Sequence, residues 1–195
     1  MILETSLSLL ERLRNSPEDA DWSRLIEAYS PLLRTWVLRS DVQAADADDL
    51  VQEVLLVVHR ELPAFQHNQR TGAFRNWLRQ IVVHRLRNFW RSRGRQFVAG
   101  SDSRWEEQLR QLEDDGSHLS QVWDREHNLA VARKLLEMIK SRFTESTRQV
   151  FCRLVLDGAD ADTVAAETGL SLNAIFTAKS RVLRELRRLG QGLLD

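Results

Sequence analysis

Apolar residues recur three to four positions apart along most of the chain, and only three prolines and eight glycines interrupt them. That period predicts helices throughout and no strand, so the expected fold class is all-α. A first helix is expected over residues 3–14 and a second from just after Pro17 to about Arg39. Asp46 or Asp48 opens a third, which stops near Pro63 because proline cannot continue a helix. A fourth covers 74–95, a fifth roughly 121–143, and two short helices flank Gly169 near the end.

The spacing also sorts the faces of these helices. In the third, Leu50, Val54, Leu55, Val58 and Leu62 make a core stripe, while Asp48, Asp49, Gln52, Glu53 and the apolar Leu56 form a second, outward face. Acids near a helix start complement its dipole, which accounts for Asp48 and Asp49 but leaves Leu56 without a reason to face water. In the fourth, Phe74, Leu78, Ile81, Val82 and Phe89 share the apolar side. Asn76, Arg79, Gln80, His84, Arg87, Asn88 and Arg91 lie opposite. Trp77 is expected to anchor the core and Trp90 to be the more exposed of the two tryptophans.

Charge changes the picture. The chain balances 28 Lys+Arg against 28 Asp+Glu, yet residues 62–101 contain no acid and eight arginines. The stretch 102–126 then carries Asp102, Glu106, Glu107, Glu113, Asp114, Asp115, Asp124 and Glu126 against three arginines. The reversal reads as an acidic connector between two helical units, with neutrality arising by cancellation. A basic strip studded with tryptophan suits single-stranded nucleic acid, which needs its phosphates neutralised and flat surfaces for unstacked bases. A tryptophan at helical spacing is also an ordinary core residue.

Near the C-terminus, Val164 and Ala165, then Gly169, then Leu170, Ile175, Ala178 and Val182 have helix-turn-helix spacing, with Ser171 placed to cap the second helix. Asn173, Thr177, Ser180, Arg181, Arg184 and Arg188 project away from its buried side. Such a face fits a DNA major groove, where polar side chains read bases and arginines hold phosphates. An ordinary helical hairpin with a solvated face is the other reading. Lys179 points near the buried side and would have to snorkel.

Composition excludes several classes. Cys152 is the only cysteine, so no intramolecular disulfide or cysteine metal cluster can form, and the five histidines lack ligand spacing. No apolar run approaches the roughly 18 residues that span a bilayer, and no leader is seen, so a cytoplasmic protein without membrane insertion is expected. A small nuclease would need a carboxylate cluster, and Asp46, Asp48 and Asp49 are already explained by a helix start. No enzyme activity, catalytic residue, metal or cofactor is expected.

The succession of DADDLVQEVLLVVHREL, FRNWLRQIVVHRLRNFWRSR, an acidic connector and TVAAETGLSLNAIFTAKSRVLREL resembles the extracytoplasmic-function, or group IV, sigma factors of bacterial RNA polymerase. The resemblance runs from about Trp22 to Leu189, and SLNAIFTAKSRVLREL is similar to planctomycete-type members. It implies two small helical domains: region 2 over 1–96 for polymerase docking and minus-ten recognition and melting, an acidic linker over 97–120, and a region 4 helix-turn-helix over 121–195 for the minus-thirty-five element.

By this resemblance Asp48, Asp49, Gln52, Glu53 and Leu56 would grip the beta-prime clamp helices, and the C-terminal domain would meet the beta flap. Phe65, Gln66, His67, Asn68 and Arg70, with Asn76, Arg79, Gln80, His84, Arg87, Asn88 and Arg91, would melt the minus-ten element and capture an unstacked base. Ser171, Asn173, Phe176, Thr177, Ser180, Arg181, Arg184 and Arg188 would read the minus-thirty-five duplex. The linker would run through the RNA path of the polymerase. Two departures stand out: His84 and Asn88 replace a frequent Asn and Asp, and Phe176 and Thr177 replace a frequent Lys and Ser. No built-in sensory extension is expected, which leaves regulation to an anti-sigma partner, phosphorylation or transcription level. A stand-alone helix-turn-helix regulator is the alternative, but it gives the basic helix and the acidic face no role. A single-strand RNA-binding module would use the same arginines and tryptophans without polymerase.

Overall fold

Ser8 and Glu11 close a reciprocal capping box at the start of the first helix: the Ser8 amide donates to the Glu11 carboxylate at 3.0 Å and the Glu11 amide to the Ser8 hydroxyl at 3.2 Å. The computed structural model describes residues 8–15, 18–66, 72–94, 102–191 and 193. Among them the fold is all-α, as the apolar period predicts. The helices are α1 Leu9–Asn15, α2 Asp19–Arg39, α3 Ala44–Glu61, α4 Ala73–Gly94, α5 Asp102–Glu113, α6 His118–Met138, α7 Glu145–Phe151, α8 Ala161–Thr168 and α9 Leu172–Leu189.

Three boundaries differ from expectation. Helix α3 starts at Ala44, ahead of the acids read as its opening. Ser117 caps α6 by accepting from the Ser120 amide, so that helix begins before 121 and stops at Met138, with Thr144 capping a separate α7. The expected acidic linker contains α5 and the first turn of α6, and α5 packs on α4 through Trp105, Leu109 and Leu112.

Helices α2, α3 and α4 enclose Leu33, Trp36, Val54, Val58, Phe74, Leu78 and Val82, all buried. Phe74 packs edge-on to Tyr29 and Phe65, with ring centroids 5.9 Å away in each case. The core then continues without a break through α6, where Trp123 meets Trp36 edge-on at 5.2 Å, and on to Val182, Leu186 and Leu189 of α9. A second, smaller cluster of Val150, Val164, Ile175 and Ala178 sits under the helix-turn-helix. Gly169 takes the left-handed conformation at φ +69°, which ends α8 and permits the turn. No helix among the described residues is long and apolar enough to cross a membrane.

Candidate nucleic-acid interface

Helix α3 presents its second face as expected. Asp48, Asp49, Gln52, Glu53 and Leu56 are all exposed, Leu56 at 68%, and Asp48 accepts from Arg34 of α2 at 2.8 Å. Leu56 does not stand alone. Ile26 of α2, 44% exposed, lies with it in an apolar groove of about 310 Å³ completed by Trp22, Leu25, Gln52, Leu55 and His59. Ile26 was missed in the sequence. It follows Leu25 directly, and only the observation that Leu25, Tyr29 and Leu32 already fill the buried row of α2 could have turned it outward.

Helix α4 divides into an open row and a covered row. Gln80, His84, Asn88 and Arg91 are exposed along one side, with Asn88 3.4 Å from the His84 ring. Asn76 and Arg87 are half-buried. Arg79, expected on the outward face, is only 1% exposed. It pairs with Asp115 and reaches to 4.0 Å from Asp124. Arg87 donates to Glu113 of α5 at 2.9 Å, and that hydrogen bond holds its guanidinium above the ordinary value. Carboxylates from the acidic stretch therefore fill the places where phosphates were expected. A fully desolvated guanidinium without a partner is costly, so Arg79 can be buried only because those acids come with it.

Arg75, one of the eight arginines of the acid-free stretch, proves central. Its Nη1 donates to Asn128 of α6 at 3.1 Å, and its Nε lies 2.8 Å from the Asp124 carboxylate in an ion pair whose N–H direction misses hydrogen-bond alignment. The guanidinium folds over Gly72, whose φ of +76° and missing Cβ leave it room. Asn128 Oδ1 lies 3.3 Å from His127 Nδ1, and Tyr29 Oη lies 2.9 Å from His127 Nε2. This set fits the tautomer in which Nδ1 donates to Asn128 and Nε2 accepts from Tyr29. Burial pushes the Tyr29 hydroxyl well above its usual range, which keeps it a donor. The network ties α2, α4 and α6 together.

The remaining expectations fall out unevenly. Phe65 is half-buried, 4.9 Å from the Trp77 ring, and Gln66 is exposed. His67, Asn68 and Arg70 lie outside the described residues. Trp90 is no more exposed in kind than Trp77: both are half-buried, and Trp90 stacks on Trp105 of α5 at 6.3 Å and 21°. The acidic helix that covers α4 also brings the aromatic ring that covers Trp90.

In the helix-turn-helix, Ser171 caps α9 by accepting from the Ala174 amide at 3.2 Å. Asn173, Phe176, Thr177, Ser180, Arg181 and Arg184 are exposed opposite the buried Ile175, Ala178, Val182 and Leu186. Arg188 is instead half-buried and paired with Glu185 at 2.6 Å. Glu185 also engages Arg142, and the hydrogen bond from Arg188 is the chief cause holding its carboxyl below the ordinary value. Lys179 is half-buried, as a snorkelling side chain would be. No group of three or more His, Cys, Asp or Glu among the described residues is arranged to hold a metal ion.

No curated protein matches the chain. Residues 25–96, which take in most of α2, all of α3 and all of α4, match the family model described as Sigma-70 region 2. That segment carries both the Ile26–Leu56 groove and the open row of α4.

Proposed function

We propose that the chain is a sigma factor of the extracytoplasmic-function group, without enzymatic activity of its own, that directs promoter-specific initiation by core RNA polymerase. The observation that carries this reading is the coincidence, within the matched segment, of an exposed apolar groove at Ile26 and Leu56 with an exposed hydrogen-bonding row at Gln80, His84, Asn88 and Arg91. The groove, with Gln52 in its lining and the exposed Asp49 and Glu53 on the same helix, is the surface for the polymerase clamp. The row is the surface for the melted minus-ten strand, where unstacked bases need edge hydrogen bonds. The C-terminal helix-turn-helix supplies the minus-thirty-five reader through α9, and its exposed arginines at 181 and 184 suit phosphates.

Geometry adds a requirement. The two promoter elements lie about 25 base pairs apart, or roughly 85 Å along the duplex. A compact chain of 195 residues has a radius of gyration of about 16 Å. The packing of α6 on α2 and α4 must therefore release before both elements can be held together, and the packed form is the free protein at rest.

The test is capture of purified core RNA polymerase by the chain, followed by run-off transcription from a library of promoter fragments. Stoichiometric capture with promoter-dependent transcripts is expected. Tight duplex binding by the free chain, without capture, would transfer the reading to a stand-alone helix-turn-helix regulator.

A further inference from the structure

Among the described residues four large apolar side chains are exposed: Ile26, Leu56, Leu172 and Phe176. The first two share the groove between α2 and α3. The other two, 42% and 51% exposed, stand one turn apart at the start of α9. A helix that only had to pack would not place them there, because its buried row runs through Ile175, Ala178, Val182 and Leu186 on the other side.

Stepping round α9 at about 100° per residue puts Asn173, Ser180 and Arg184 at the centre of the open face. Phe176 falls about 60° to one side, with Leu172 just beyond, so the apolar pair borders the polar strip directly. Arg181 and Arg184 are exposed and carry no ion pair among the described residues, in contrast to Arg188. An apolar pair beside unpaired arginines and an exposed Asn fits a duplex better than an apolar protein surface, which would strand those charges on closing.

The major groove offers one apolar feature, the C5-methyl group of thymine, and the first residues of a recognition helix are the ones that reach base edges. We propose that Phe176, supported by Leu172, reads thymine C5-methyl groups in the upstream duplex element, next to a base edge held by Asn173. Specificity at one or two positions of that element then rests on a methyl group, where a cation at position 176 would have spent the same contact on a phosphate. The inference depends on α8 and α9 being the upstream duplex reader.

The experiment uses the full chain bound to core RNA polymerase and a duplex library randomised over the upstream element. Each thymine of the selected element is then replaced singly by deoxyuridine, which removes the methyl and leaves the pairing edge intact. Loss of about fourfold in affinity is expected at one or two positions, the value of one buried methyl. Phe176→Ala should weaken the thymine duplex and bring its affinity to that of the deoxyuridine duplex, with an unchanged unfolding midpoint because the ring is exposed. A selected element in which no deoxyuridine matters, or an equal deoxyuridine loss in Phe176→Ala and the unaltered chain, overturns the proposal while leaving α9 as a duplex reader. Selection of no upstream element at all removes that assignment and the proposal together. The absence of any deoxyuridine loss on the unaltered chain overturns the proposal even if the variant fails to fold.

Discussion

Arg75 Nε and Asp124 Oδ1 lie 2.8 Å apart across the boundary between α4 and α6, and the same carboxylate is 4.0 Å from Arg79. One acid from the connector thus serves two arginines of the basic helix. Asp124→Asn should cost about 1–3 kcal/mol of stability, read as a lower denaturant midpoint, because it strips the shared partner from two largely buried guanidiniums. The same variant should bind a single-stranded oligonucleotide more tightly than the unaltered chain, with a steeper dependence on salt. An unchanged salt slope would separate these arginines from nucleic-acid binding.

Leu56 is exposed on a face that packing does not need. Leu56→Glu should leave the stability within about 0.5 kcal/mol, as surface changes do, yet abolish capture of core polymerase. Ile26→Glu, across the groove, should behave in the same way. Full capture by both variants would remove the groove as the docking surface.

If the packed arrangement is the resting one, fluorescent labels at Glu61 on α3 and Asp162 on α8, both exposed, in a chain with Cys152 replaced by Ser, should separate when core polymerase is added. A fall in energy transfer is the expected result. Constant transfer in a complex active for transcription would mean that α6 stays on α2.

Asp21 couples α1 to α2 from a buried site: Arg12 holds it through three hydrogen bonds of 3.0–3.2 Å, and Arg24 adds another at 2.9 Å. Burial alone would raise its carboxyl, but the two arginines outweigh that and hold it below the ordinary value. A depressed carboxyl contributes stability that is complete above its unfolded value, near 3.9, and is lost as pH falls through the folded one. Denaturant midpoints should therefore drop below about pH 4, and Asp21→Asn should show a lower midpoint at neutral pH with a flatter acid limb.

Phe74 is buried against Tyr29, Phe65 and Trp77. Phe74→Ala should cost about 3–5 kcal/mol, measured by chemical unfolding, because a ring-sized void cannot be refilled by three rigid aromatic neighbours.

Helix type, the core stripes of α3 and α4 apart from the half-buried Leu55 and Phe89, the turn at Gly169 and the Ser171 cap were legible in the chain itself, because each depends on residues within four or five positions of one another. The outward faces of α3 and α9 were legible for the same reason: a helix with one apolar side must bury it, and what lies opposite is left for solvent or a partner. What could not be read that way was which polar groups find partners far along the chain. Arg79 and Arg91 both lie off the apolar side of α4, yet one is buried beneath Asp115 and Asp124 and the other is exposed. The basic stretch followed directly by an acidic one held the hint, since opposite charges on one chain tend to meet, but charge alone does not say which residues pair. Tertiary packing decided it: Trp105 seats α5 against Trp90, and Trp123, beside Trp36, anchors α6 on α2. Once those rings are buried, the carboxylates beside them are carried onto the arginines, because apolar burial sets the positions and the ion pairs follow.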